Sequence, residues 1–159
     1  MGRVDVVSAP AQRVAPGLSL AYHGPMPKQE AIFVNGDGPS ALLLGAAHDA
    51  EMEFLEWLPT ALPYELLAMP RVLIIGSGGG LDVLQAMRLN GASVTALESH
   101  PRVADHVSLT LAAGADIRVA EARGFTRAGN QQFDLIQISL LESFGTARAG
   151  IHSLQENYL

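Results

Sequence analysis

The stretch that most restricts the fold is Val72-Leu73-Ile74-Ile75, which runs straight into Gly76-Ser77-Gly78-Gly79-Gly80 and then Leu81-Asp82. Four apolar residues in succession leave no polar face for water, so they suit a parallel strand covered on both sides. Glycines directly after such a strand permit a sharp turn and bring bare backbone to the start of a helix, where a ligand can approach. Leu81 to Asn90 predicts that helix, with Val83, Leu84 and Met87 on one side and Gly91 as its stop. The alternation then repeats. Ser93 to Leu97 reads as a strand, and Arg102 to Leu111 as a helix with Val103, Val107 and Leu111 at i, i+4 and i+8. Ile117 to Ala120 is a third strand, Glu121 to Ala128 a short helix, and Phe133 to Ser139 a fourth strand. Strands separated by helices imply right-handed βαβ crossovers and a parallel sheet, hence an α/β fold.

Upstream of residue 71 the pattern is less regular. Residues 1–16 contain Pro10 and Pro16 among small residues and read as a loose leader. Leu18 to His23 is a candidate strand. Ala31 to Val34 and Ala41 to Leu44 form a better pair, because they bracket Asn35-Gly36-Asp37-Gly38, whose Asn-Gly and Asp-Gly steps tolerate positive φ. Asp49 is a good N-cap for a helix carrying Met52, Phe54, Leu55 and Leu58, after which Pro59, Pro63 and Pro70 divide the path into short pieces. The expected organisation is a leader and hairpin region over 1–48 and a nucleotide-binding domain over 49–159. After the fourth strand, a helix is expected around Ser153–Tyr158. The strand Phe133 to Ile138 is apolar on both faces and suits an interior position, so the sheet is expected to continue in a longer parent protein or to be covered by another subunit. A homodimer is the expected assembly.

Composition narrows the function. At 159 residues, with 48% hydrophobic and 16% charged residues, the chain can bury a core and does not read as disordered. Its net charge of −6, with nine Arg and the single Lys28 dispersed, argues against binding a nucleic-acid backbone. The absence of cysteine removes disulfides, thiolate nucleophiles and Cys-based metal sites. No apolar run approaches the ~20 residues a membrane span needs, and residues 1–15 do not resemble a signal peptide, so a soluble cytoplasmic protein is expected. Five histidines (His23, His48, His100, His106, His152) raise a metal reading, but His100 and His106 are not spaced i, i+4 and no metal is expected. Trp57, near Phe54, reads as core or interface.

The spacing within the glycine loop selects the ligand. A dinucleotide fingerprint needs glycine at the first, third and sixth positions, and the sixth is Leu81. Glycine at the first, third and fifth is the S-adenosylmethionine pattern. No Lys-Ser/Thr follows, which excludes a triphosphate P-loop. Glu98, in Ala96-Leu97-Glu98-Ser99-His100, stands about 20 residues past the loop at a strand end, where an acid accepts from ribose hydroxyls. Glu121, followed by Ala122, closes the third strand and can accept from an adenine amino group. Asp82, in the first turn of the helix, favours the helix dipole or approaches the donor's charged tail. The expected adenosyl-binding set is therefore Gly76, Ser77, Gly78, Gly79, Gly80, Asp82, Glu98, Ser99, Glu121 and Ala122.

With these residues in view, the chain resembles the spermidine synthase family of aminopropyltransferases, and within it the divergent bacterial spermidine-synthase-like proteins. The similarity runs from about residue 31 to the end. It is carried by the hairpin at 35–38, Glu51 to Trp57, the strand and loop from Val72, Glu98, Glu121, and Phe133-Asp134-Leu135-Ile136. The resemblance implies a Rossmann-like S-adenosylmethionine-dependent transferase fold, with S-adenosylmethionine or its decarboxylated form as group donor and a small-molecule acceptor such as an amine. It also marks departures. Ser139 stands where the family has a proton-accepting Asp, and Glu142 is the nearby carboxylate able to substitute. Phe54 and Leu55 stand where a Tyr-His pair lines the polyamine pocket. Ser139 and Glu142 are thus the candidate catalytic residues. Loss of the Asp disfavours aminopropyl transfer, because the attacking amine must be neutral. Methyl or aminopropyl transfer to a small molecule is the leading expectation, and a non-catalytic adenosyl-binding or assembly module the alternative.

Overall fold

A computed structural model describes residues 2–44, 49–91, 93–111 and 114–138. Val4–Ser8 (β1), Gln29–Val34 (β2) and Asp37–Leu43 (β3) form an antiparallel sheet in the order β1-β2-β3. Arg71–Ile75 (β4), Ser93–Glu98 (β5), Asp116–Val119 (β6) and Leu135–Ile138 (β7) form a parallel sheet in the order β6-β5-β4-β7. The helices are Asp49–Met52 (α1), Leu62–Leu66 (α2), Leu81–Arg88 (α3), Pro101–Leu111 (α4) and Ala122–Ala128 (α5). Tight 3-10 turns over Glu53–Trp57 and Pro59–Ala61 join α1 to α2; Pro59 opens the second turn, Pro63 lies at the start of α2, and Pro70 precedes β4. The chain is α/β, with a four-stranded parallel sheet flanked by helices. Among the described residues, no helix is long and apolar enough to cross a membrane.

The apolar run of β4 lies at the centre, where Val72, Leu73 and Ile74 are all buried. Each such side chain contributes about 1.5–3 kcal/mol of burial. Val72 and Ile74 of β4, with Val94 and Ala96 of β5, meet Tyr64 of α2 and Val83 and Ala86 of α3. Val103 and Val107 of α4 pack instead against Ile32 and Leu42 of the antiparallel sheet. Leu43, Met52, Phe54, Leu55 and Leu58 form a third cluster, against which Leu81 and Leu84 of α3 rest. Helices α3 and α4 therefore tie the two sheets together.

The β2–β3 hairpin forms as its turn residues predict. Asn35 (φ 57) and Gly36 (φ 79) are both left-handed, the backbone that matches the twist of a two-residue hairpin. Four expectations need correction. The supposed loose leader contains β1, which pairs with β2 from Val4↔Val34 to Ser8↔Glu30. Val4, Val6 and Val7 favour extended backbone, and β2 offers them an edge to pair with. Leu18 to His23 is not a strand. The Leu18 and Tyr22 amides donate turn hydrogen bonds to the Ala15 and Ser19 carbonyls, and the Tyr22 ring packs at a tilt against Trp57 with centroids 5.8 Å apart. The stop of α3 is Asn90, which takes the left-handed conformation (φ 66), while the Gly91 amide closes back on the Ala86 carbonyl at 2.9 Å. Finally, β7 begins at Leu135 rather than at Phe133, and it lies at one edge of the described sheet, with Ile136 and Ile138 more than half exposed. Residues 153–158, expected as a helix, lie outside the described residues.

Candidate functional site

The order of the parallel sheet reverses at β4, since β5 lies on one side of it and β7 on the other. The carboxyl ends of strands around such a reversal form a crevice in which α/β proteins hold ligands. The glycine loop leaves β4 at this end.

Its spacing follows from backbone conformation. Gly76, Gly78 and Gly80, at the first, third and fifth positions, have φ of 78, 48 and 88, a region that side chains disfavour. The amides of Gly76 and Ser77 both donate to the Leu97 carbonyl, at 2.9 and 3.0 Å. That double contact moors the loop to the end of β5 and brings the next residue, Glu98, beside it. One carboxylate oxygen of Glu98 accepts from the Gly78 amide at 3.1 Å, and the other from the His100 amide at 2.8 Å. Glu98 is only 8% exposed. A carboxylate accepts about four hydrogen bonds, so capacity remains for a ligand. Ser77 is buried, and its hydroxyl has no partner among the described residues. A buried hydroxyl without a partner is costly and calls for an explanation, of which a ligand is one.

The loop and Glu98 are thus brought together. Ser99 is exposed, its hydroxyl 3.5 Å from Glu98 Oε1. Glu121 and Ala122 follow β6 at the same end of the sheet, where the Ala120 amide donates to the Glu98 carbonyl at 3.0 Å. The Glu121 side chain is exposed and makes no capping hydrogen bond to α5. Asp82 lies in the first turn of α3. Burial, reinforced by the charge of Asp82, pushes the Tyr64 phenol well above its ordinary pKa. Phe54 and Leu55 are fully buried in the core. Ser139 and Glu142 lie outside the described residues.

One neighbour of the loop was not foreseen. Strand β3 lies directly against Gly78 and Gly79, so that a Cβ on Gly79 would collide with the Ala41 carbonyl. Gly79 has no positive φ, and its glycine is a matter of space. The fourth-position glycine, which the first-third-fifth pattern does not require, was the signal in the sequence. His100 was also not expected at this rim; its Nε2 lies 3.1 Å from the Gly2 carbonyl.

Two other features lie elsewhere. A hollow of about 400 Å³ opens at the opposite end of the sheet, lined by Arg71, Ser93, Thr95 and residues 130–133. The guanidinium of Arg71 is already engaged there by Asp134, at 2.9 and 3.0 Å. Among the described residues, no three His, Asp or Glu side chains group in a way that holds a metal ion. No protein-family model matches the chain, and no curated protein matches it either.

Proposed function

We propose that this chain binds an adenosyl donor over Gly76–Gly80 and acts as an S-adenosylmethionine-type transferase of spermidine-synthase-like ancestry, on a Rossmann-like fold. The observation that carries the reading is the contact between Gly78 and Glu98. A bare-backbone turn and a buried acid from the next strand meet at 3.1 Å, at the sheet's order reversal. The strand order β6-β5-β4-β7 supports the fold assignment, being the order of the first half of a doubly wound sheet together with the fourth strand.

The residues present fit such a ligand. Glu98 accepts from ribose hydroxyls with its remaining lone pairs. Glu121 and Ala122 stand on the adenine side, and Asp82 on the side of the donor's charged tail. When bound, the donor's sulfonium activates the carbon to be transferred. The protein's work is to place a nucleophile in line with it, and Ser139 and Glu142 are the candidate residues to assist it. The acceptor is a small molecule, and transfer of methyl is favoured over aminopropyl.

Calorimetry with S-adenosylmethionine, its decarboxylated form and 5′-methylthioadenosine tests the donor site. Binding is expected, with Glu98→Gln weakening it about 10–100-fold through the loss of charge-assisted hydrogen bonds. Radiolabel transfer from either donor to polyamines and other small acceptors then tests activity. The seating of β3 on Gly79 favours a second reading, in which the loop is a packing device and the chain a non-catalytic module. Folded protein that binds none of the three probes selects that reading.

A further inference from the structure

The chain contains two Asn-Gly steps, Asn35-Gly36 and Asn90-Gly91, and both asparagines are exposed and left-handed, with φ of 57 and 66. This dipeptide carries its own reactivity. A glycine amide has no side chain to shield it, so its nitrogen can reach the carboxamide carbon of the preceding asparagine. The two sites differ at that nitrogen. The Gly91 amide donates to the Ala86 carbonyl at 2.9 Å, and a Cβ on Gly91 would stand only 2.6 Å from the same oxygen. The Gly36 amide donates no hydrogen bond among the described residues, and a Cβ on Gly36 would meet nothing within 4 Å. The carboxamide of Asn35 is also prepared. The Arg3 amide donates to its Oδ1 at 2.9 Å, while its Nδ2 bonds to no described residue.

We propose that Asn35 is a site of spontaneous covalent modification by deamidation, and that the fold protects Asn90 from the same reaction. The Gly36 nitrogen attacks Cγ of Asn35, forming the N–Cγ bond of a five-membered succinimide. Negative charge gathers on Oδ1 in this step, where the Arg3 amide stabilises it. The Cγ–Nδ2 bond then breaks, and Nδ2 leaves as ammonia with the proton given up by the Gly36 nitrogen. A water molecule from solvent opens the ring. Cleavage of the new N–Cγ bond gives aspartate. Cleavage of the original bond between the Asn35 carbonyl carbon and the Gly36 nitrogen gives isoaspartate, whose main chain runs through Cγ and is one carbon longer. Asn35 and Arg3 exchange two hydrogen bonds, the Asn35 amide donating in return to the Arg3 carbonyl at 2.8 Å. The longer main chain displaces that pair and frees the start of β1 from the hairpin. Both asparagines share the left-handed backbone, so the rotation that brings nitrogen to Cγ is common to both. At Asn90 the nitrogen is also committed to the end of α3, and attack waits for that turn to open.

Folded protein is aged at mildly alkaline pH beside a second sample held in urea, and both are digested and followed by mass spectrometry. Deamidation at each asparagine reads as a gain of about 1 Da, and chromatography separates aspartyl from isoaspartyl peptides. In the folded protein Asn35 is expected to react about 10-fold faster than Asn90, the factor by which one hydrogen-bonded helix end lowers its open population. In urea, where that hydrogen bond is lost, the two rates should agree within about 2-fold. Hydrogen exchange over Val4–Ser8 should quicken as isoaspartate accumulates, and should not in Asn35→Asp, which has the charge without the extra carbon. Equal rates at the two sites in folded protein, or modification of Asn35 confined to the urea sample, overturn the proposal. Unchanged exchange in β1 of the isoaspartyl protein overturns the effect on that strand.

Discussion

Replacing Gly79 with alanine adds one methyl group where the glycine loop presses on the backbone of β3. The new carbon would overlap the Ala41 carbonyl and stand 2.8 Å from the Leu42 amide nitrogen. Both are backbone atoms of β3, which is held by its ladder to β2 and by Leu42 and Leu43 in two apolar clusters. No side chain can swing aside, so strand or loop must move by about 1 Å to restore an ordinary contact. Gly79 does not have a positive φ, so the effect is steric and free of backbone preference. Overpacking of this kind costs about 1–3 kcal/mol, and rigid partners place it in the upper half of that range. For a chain of 159 residues the melting temperature should fall by about 5–10 °C. Gly124→Ala is the control. It meets nothing within 4 Å and lies inside α5, so it should stabilise by about 0.5–1 kcal/mol. Thermal unfolding followed by circular dichroism measures all three proteins. If Gly79→Ala melts at or above the wild-type temperature, β3 does not rest on the glycine loop.

Two further perturbations probe the sheet that carries the site. Hydrogen bonds from the Arg71 guanidinium and amide hold the Asp134 carboxyl at about 2, below its ordinary value of 3.8. A depressed carboxylate contributes stability above its unfolded value and loses it as pH falls through the folded one. Wild-type stability should therefore decline between about pH 4 and pH 2, and Asp134→Asn should flatten that limb while lowering stability at neutral pH. Identical acid limbs would contradict the pairing. In the second, the Tyr64 hydroxyl donates to the buried Gln137 side-chain oxygen at 2.8 Å. Tyr64→Phe strips that oxygen of its partner and should cost about 1–3 kcal/mol in denaturant unfolding, most of which Gln137→Leu in the same chain should recover. Strictly additive effects would show that the two groups do not interact.

The parallel half of the fold was legible because its signals are local. A wholly apolar run can be satisfied only by cover on both faces, as Val72 to Ile74 are, and left-handed backbone at alternate positions asks for glycine, as at Gly76, Gly78 and Gly80. Asn35-Gly36 announced its turn for the same reason. Boundaries moved by a residue or two, as for β6 and β7. The nearness of Glu98 to the loop was also foreseeable, since strand-end positions on neighbouring parallel strands share one edge of the sheet.

Tertiary structure decided the remainder, because those features depend on partners distant in sequence. Val4–Ser8 became a strand only because β2 had an unpaired edge, and Leu18 to His23 did not because its backbone closed on local turns. That β5 and β7 flank β4, which puts the order reversal at the glycine loop, is a matter of packing that no single segment encodes. Gly79 shows the division most clearly. By itself the sequence specified a flexible turn there, and only the approach of β3, some 40 residues upstream, turned the absence of a side chain into a steric requirement. Local conformational preference is written residue by residue, whereas space is allotted by whatever the folded chain brings alongside.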